Sequence, residues 1–363
     1  MERNEVLVAK NTDELISYTK TQPSANELFI SSVTNLDKID SFHNLQNLKI
    51  SAFKAIELND DAIIDGSNIK KLKALKTLYI ENDDHIEELS LPCTMNLDTL
   101  FISSCHILKY IDNLFYQNRL RTLVIYDVPN LDKSFYSKLI SFLDNSNLDR
   151  VILDINTYTL FTDKELEKLK EYHVLFAEKI GIKDNYIFTP KMMEDFHSKV
   201  LEIYKKVHDE YKDLYKILYE YYDYVRNTHY DEESLAKRQK FTLEGGKFYK
   251  YANRYKSINS SYKALMKNNA VCEGYVNLLR YLYNLENVDL YPVFCNYKES
   301  SHVAGKAFID GVEVFFDPEL DHRFMNHNNF MISKDEFQRN HDILFYRDNF
   351  DIIIEVKNKV RSR

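Results

Sequence analysis

The chain predicts two successive folds, a parallel β-solenoid through about residue 180 and then an α+β domain that carries the chemistry. Three observations predict this. A Leu-x-x-Leu-x-Ile phrase returns through the first half at intervals of 20 to 30 residues. Helical periodicity replaces it after residue 160. Further on, a cysteine at the head of an apolar helix is followed by a β-hairpin bearing histidine and aspartate.

The repeated phrase appears as Leu45, Leu48, Ile50, then as Leu75, Leu78, Ile80 and as Leu97, Leu100, Ile102. Leu120, Leu123, Ile125 and Leu148, Val151, Leu153 follow, and Leu28 with Ile30 forms a degenerate first copy. Ile86, Leu89 and Leu91 suggest an additional half-turn. Alternate apolar positions suit a short strand with one buried face. One such unit cannot bury that face alone, so neighbours must stack. The phrase resembles the leucine-rich repeat family in an irregular form, with variable spacing and no consistent asparagine after the strand. The resemblance implies a surface for recognising a protein partner or substrate, and the sequence singles out no contact residue on it. Cys93 and Cys105 are expected to be packed repeat residues, too far apart for a zinc knuckle.

Thr162 and Glu165 have the spacing of a capping box and predict a helix start. Residues 181–191 are expected to be a linker. From Phe196 to Val225, apolar residues recur at steps of three or four and predict an amphipathic helical run whose aromatic stripe packs in the core. The second domain is assigned to 192–347, and 348–363 to a terminal strand with a basic tail at Lys357, Lys359, Arg361 and Arg363.

With 56 acidic against 48 basic residues, the net charge of −8 opposes binding along a nucleic-acid backbone. No apolar run has the length of a membrane span, and the acidic start Met-Glu-Arg-Asn-Glu lacks the apolar core of a signal peptide. A cytoplasmic protein without a membrane or nucleic-acid partner is expected, with signal-independent secretion left open. Four cysteines do not make a disulfide scaffold, and neither a structural metal nor a cofactor is expected.

The chemistry lies in two stretches. In residues 268–285, Asn268 or Asn269 is placed to cap a helix whose first turn holds Cys272, where unpaired N–H groups and the helix dipole favour thiolate. Gly274 inside that helix predicts a close approach by another backbone. In residues 302–318, Asp310-Gly311 predicts a two-residue hairpin turn. Ile309 then faces Val312, Ala304 faces Asp317, and His302 lies diagonal to Asp317 on one face. Glu319 would lie opposite His302 and Asp321 on the other diagonal. Pro318 ends the strand and makes Asp317 the better partner. A nucleophile, a base and an orienting acid are thereby assembled. Cys295 is expected to be a buried strand residue, and His322 and His327 to lie in a polar loop.

Ser260 to Leu282 resembles the segment around the catalytic cysteine of the transglutaminase-like superfamily, a papain-related group of cysteine enzymes. His302 to Pro318 resembles its histidine strand, turn and aspartate strand, with the same 15-residue separation. Tyr219 to Asp231 resembles its leading helix and tyrosine turn, and FMISKDEFQRNH a segment following the aspartate. The resemblance covers Met192 to Leu344 and implies a papain/transglutaminase-like α+β core. It further implies that Cys272 attacks an acyl carbon, His302 moves protons and Asp317 holds the imidazole tautomer. For the oxyanion, the Cys272 backbone N–H is one candidate and Tyr262 another. Ala304 and Gly305 replace the family's tryptophan and asparagine, and Glu319 its threonine. The leading expectation is a cysteine-dependent peptide or amide hydrolase acting on a protein or peptide selected by the repeat domain. The alternatives are an inactive adaptor on the same fold, or a protein-glutamine deamidase or transglutaminase.

Overall fold

Leu48, Leu78, Leu100, Leu123 and Val151 lie side by side on consecutive strands, and Ile50, Ile80, Ile102, Ile125 and Leu153 form a second file beside them. Each is almost wholly buried. The computed structural model describes residues 6–31, 35–51, 65–83, 85–94, 96–179, 186–243, 257–298 and 300–346. The terminal strand and basic tail expected at 348–363 lie outside these residues. Chain contacts divide the molecule into Met1–Ile180 and a second unit, Gly181–Phe350.

The first unit contains β1 (Leu7–Ala9), β2 (Glu27–Ile30), β3 (Asn47–Ser51), β4 (Thr77–Glu81) and β5 (Glu88–Ser90). It continues with β6 (Thr99–Ser103), β7 (Tyr110–Asp112), β8 (Thr122–Tyr126), β9 (Arg150–Asp154) and β10 (Leu175–Lys179). β1-β2-β3-β4-β6-β8-β9-β10 run parallel in that order. β1 and β10 extend the sheet without carrying the repeated phrase. Asn82, Ser104 and Asp127 each follow a strand with positive φ. Asn82 and Ser104 N–H groups donate to the next strand's carbonyls at Ser103 and Tyr126, at 2.9 and 3.0 Å. Asn and Asp tolerate this left-handed geometry better than most residues, which helps the chain turn at the same level on successive passes.

Irregular spacing has a structural cause in two places. The long interval before β9 holds a helix, α2 (Lys133–Leu143), where the intervals before β3, β4 and β8 hold short 3₁₀ turns; α1 is Thr12–Thr21. The half-turn at Ile86 to Leu91 forms β5, which pairs with β7 in a separate two-stranded sheet. Cys93 departs from expectation because it is exposed, whereas Cys105 is buried. The capping box at Thr162 and Glu165 starts α3 (Asp163–Glu171) as expected.

In the second unit, the expected linker contains β11 (Tyr186–Phe188), and α4 (Pro190–Glu210) starts at its end. Thr189 caps α4 and Pro190 takes its first position, where proline loses no helical bond. The amphipathic run is two helices: α4 stops at Tyr211, and Asp213 caps α5 (Leu214–Arg226) by accepting from Lys216 N–H. β12 (His229–Tyr230), α6 (Glu232–Leu243), α7 (Ser261–Lys267) and β13 (Asn269–Ala270) lead to α8 (Cys272–Asn284). Then come β14 (Leu290–Tyr297), β15 (Ser300–Ile309), β16 (Val312–Phe316), α9 (Pro318–Phe324), α10 (Lys334–Gln338) and β17 (His341–Tyr346). The four-stranded antiparallel sheet has the order β16-β15-β14-β17, and α8 packs against β14 and β15. Ile309 pairs with Val312, and Asp310 and Gly311 both have positive φ, the signature of a type I′ turn. No described helix is long and apolar enough to cross a membrane.

Burial of the leucine file predicts that Leu100→Ala will cost about 2–5 kcal/mol. Lys49→Ala, which removes a partly exposed ion pair to Glu81, should cost about 1 kcal/mol or less. Urea denaturation of both variants checks the contrast.

Candidate active site

The chain approaching Cys272 is held on both sides. α7 ends at Asn268 in a left-handed conformation, and Asn269–Ala270 then pairs in parallel with His229–Tyr230. Val271 N–H donates to the Ile258 carbonyl, and Asp231 N–H to that of Ala270, each at 2.9 Å. Asn268 and Asn269 therefore do not cap the cysteine helix. Asn268 closes the preceding helix, and the residue flanking α8 is Val271, which makes no side-chain cap. No cap side chain competes for the first-turn N–H groups, which leaves the positive end of α8 at the thiol. Gly274 sits inside this turn, where a Cβ would lie 2.7 Å from the Ala270 Cβ and 3.1 Å from the Ile258 carbonyl oxygen. The expected close approach is therefore made by residues 258–270.

His302, on β15, is buried and donates through Nε2 to Asp317 Oδ2 at 2.7 Å. Burial opposes a charge on His302, but Asp317 and then Cys272 outweigh it and raise the imidazole well above its ordinary value. Cys272 is partly exposed, whereas Cys295 is buried. Burial pushes the Cys295 thiol up to about 12, so it remains a protonated strand residue at neutral pH.

Asp317 does more than end a strand. β16 stops at Phe316, and Asp317 caps α9 by accepting from Leu320 N–H through Oδ1 at 3.0 Å. Oδ2 accepts from His302 and also from His341 Nε2 at 2.9 Å. Burial would raise this carboxyl, yet the two imidazoles hold it well below the usual carboxylate range. Pro318 takes the first position of α9, so Glu319 reaches the site from a helix rather than a paired strand. Its carboxylate lies 3.7 Å from His302 Nδ1 and pairs with Arg323 at 2.6 Å. Burial raises Glu319 above its ordinary value. Asp321 turns elsewhere, to Tyr222 and Asn329.

Tyr262 packs its ring with Phe188 and Phe196. The tyrosines whose ionisation senses Cys272 are Tyr230 and Tyr275, raised first by burial. β12 places Tyr230 there by pairing it with Ala270, two residues before the thiol. His322 lies in α9 rather than a loop and contacts the Arg226 carbonyl at 2.9 Å, while His327 contacts Asp223 at 2.8 Å.

His302, Asp317 and His341 each present one atom capable of binding a metal, all within 4.8 Å of one another. The two Nε2–Oδ2 separations, 2.7 and 2.9 Å, are hydrogen-bond separations. Ligands at 2.0–2.1 Å around a tetrahedral zinc would stand roughly 3.3 Å apart. The trio has the spacing of a hydrogen-bonded cluster.

No protein-family model matches the chain. No curated protein matches it. One similar solved structure is described as "Crystal structure of a TGase", at 15% identity and a TM-score of 0.28. The match covers 50% of this chain and 53% of that one, so it spans about half of each.

Alanine usually gains about 1 kcal/mol over glycine inside a helix. Gly274→Ala should instead lower stability in thermal unfolding, because the added Cβ meets Ala270 and two carbonyls. Asp317→Asn should cost about 3–5 kcal/mol at pH 7, since it strips a buried carboxylate from two imidazoles. The folded carboxyl titrates below its unfolded counterpart. Its stabilisation is therefore present above about pH 4 and is lost as pH falls through the folded value. Denaturation curves of the wild type and variant should accordingly converge in acid.

Proposed function

We propose that the second unit is a cysteine-dependent acyl-transfer enzyme on a transglutaminase-like core, with peptide or amide hydrolysis favoured. The first unit is, on this reading, a leucine-rich-repeat solenoid that selects the protein substrate. One observation carries the proposal: His302 is buried and hydrogen-bonded to Asp317, and after Asp317 it is the Cys272 side chain that favours a charge on its ring. With Nε2 committed to Asp317, Nδ1 is the nitrogen that exchanges a proton with sulfur.

The steps follow from that arrangement. Cys272 gives its proton to His302, and the thiolate attacks the acyl carbon, moving a C=O electron pair onto oxygen. The Cys272 N–H at the helix mouth is the oxyanion donor this arrangement favours. The tetrahedral adduct collapses, the C–N bond breaks, and His302 returns the proton to the leaving amine. A thioester remains. Water then loses a proton to His302 as its oxygen bonds the acyl carbon, and the C–S bond breaks to release acid and restore the thiol. Hydrolysis is favoured over cross-linking because water alone suffices as acceptor.

A binding protein that retains the fold without the activity is the second reading. It is favoured by Ala304, which is fully buried, and by Gly305, whose absent Cβ leaves room for Leu290. Peptide-mapped iodoacetamide alkylation separates the two and distinguishes Cys272 from the exposed Cys93. The enzyme reading predicts Cys272 labelling well below pH 8, reduced about a hundredfold at pH 6 in His302→Ala, as for an ordinary thiol of pKa 8.5. Wild-type labelling that already follows an ordinary thiol profile would overturn it. An amine probe incorporated into an acyl product would replace hydrolysis by transfer to amines.

A further inference from the structure

His341 has no part in the steps above, yet it shares with His302 one oxygen atom of the orienting acid. Its Nδ1 lies 3.0 Å from the Phe337 carbonyl, which can only accept, so Nδ1 carries hydrogen. Its Nε2 lies 2.9 Å from Asp317 Oδ2, the oxygen that also accepts from His302 at 2.7 Å. The Phe337 ring stacks on His341 at 3.9 Å and 3°, fixing the imidazole plane. His341 is buried, as is Asp317.

We propose that His341 is a positioning residue of the thiol site, protonated on both ring nitrogens, which fixes Asp317 Oδ2 toward His302 and neutralises its charge. The inference rests on the acyl-transfer reading for its consequence, but the protonation itself does not. A proton must lie between Nε2 and Oδ2; Oδ2 already accepts from His302 and Oδ1 from the Leu320 N–H, the arrangement of a carboxylate acceptor, which places that proton on His341. The charged or titratable groups around it are Asp317 ahead of α9, His302 on β15 and Tyr297 on β14. Beyond these stand Glu319 and Asp321 on α9 and Cys272 on α8.

The sign follows. A cation beside Asp317 lessens the negative potential felt at His302 and Cys272. Removing it disfavours thiolate and favours imidazolium, so both limbs of a pH profile must move upward. In His341→Gln, the amide can still donate to Asp317 but the charge is gone.

The experiment has two arms. In the first, ring ¹⁵N shifts of the full-length wild type from pH 5 to 8 should show His341 protonated on both nitrogens. A neutral Nδ1–H tautomer at pH 7 would overturn the proposal, even if His341→Gln failed to fold. In the second, the pH midpoint of Cys272 alkylation in His341→Gln should rise by roughly 1–3 units. An unmoved midpoint in the folded variant would also overturn it. Failure of the acyl-transfer reading looks different, because wild-type alkylation would then be indifferent to His302→Ala while the ¹⁵N arm still decided His341.

Discussion

A single buried carboxylate organises the second unit. Asp317 receives two imidazoles on one oxygen and caps a helix with the other. An ionised carboxylate away from water is tolerable only when it is paired and hydrogen-bonded, and here each partner comes from a different element. β15 brings His302, β17 brings His341, and α9 begins on Asp317 itself. Placement of the hairpin, the last strand and a short helix is thus coupled to one charge.

Cys272 depends on that arrangement at one remove. The polar chemistry around the thiol comes from His302, whose own orientation is set by Asp317. The helix supplies the rest: an N-terminus without a side-chain cap and a glycine that lets residues 258–270 pass close behind it. Cys295 shows what the same element becomes without these. It pairs directly with His302 along the sheet, but its thiol is buried in an apolar cluster with Val293, Ala304, Phe315 and Phe337.

Local patterns were readable where geometry is local. The leucine files of β3, β4, β6, β8 and β9 follow from period and burial, and the Asp310-Gly311 turn fixed the register that brings His302 within reach of Asp317. Where position depends on distant pairing, the sequence was silent. His341 enters the site because Tyr297 pairs with it across β14 and β17, and nothing near either residue signals that. The break at Tyr211–Asp213 was hidden because apolar spacing continues through it. The helix after Asp317 was legible but misread: Asp-Pro is a cap followed by a first-turn proline, as well as a strand terminator. Asn268 and Asn269 were overread for the converse reason, since good capping residues also close helices and pair in short strands.

His341 opens β17, which among the described residues is an edge strand bonded to β14. A strand paired on one side can open at lower free energy than the core strands, whose opening approaches global unfolding. If β17 peels away, Asp317 keeps a single imidazole and the electrostatic setting of the sulfur changes without any movement of α8. The reactivity of one cysteine would then serve as a gauge of fraying at the far margin of the sheet.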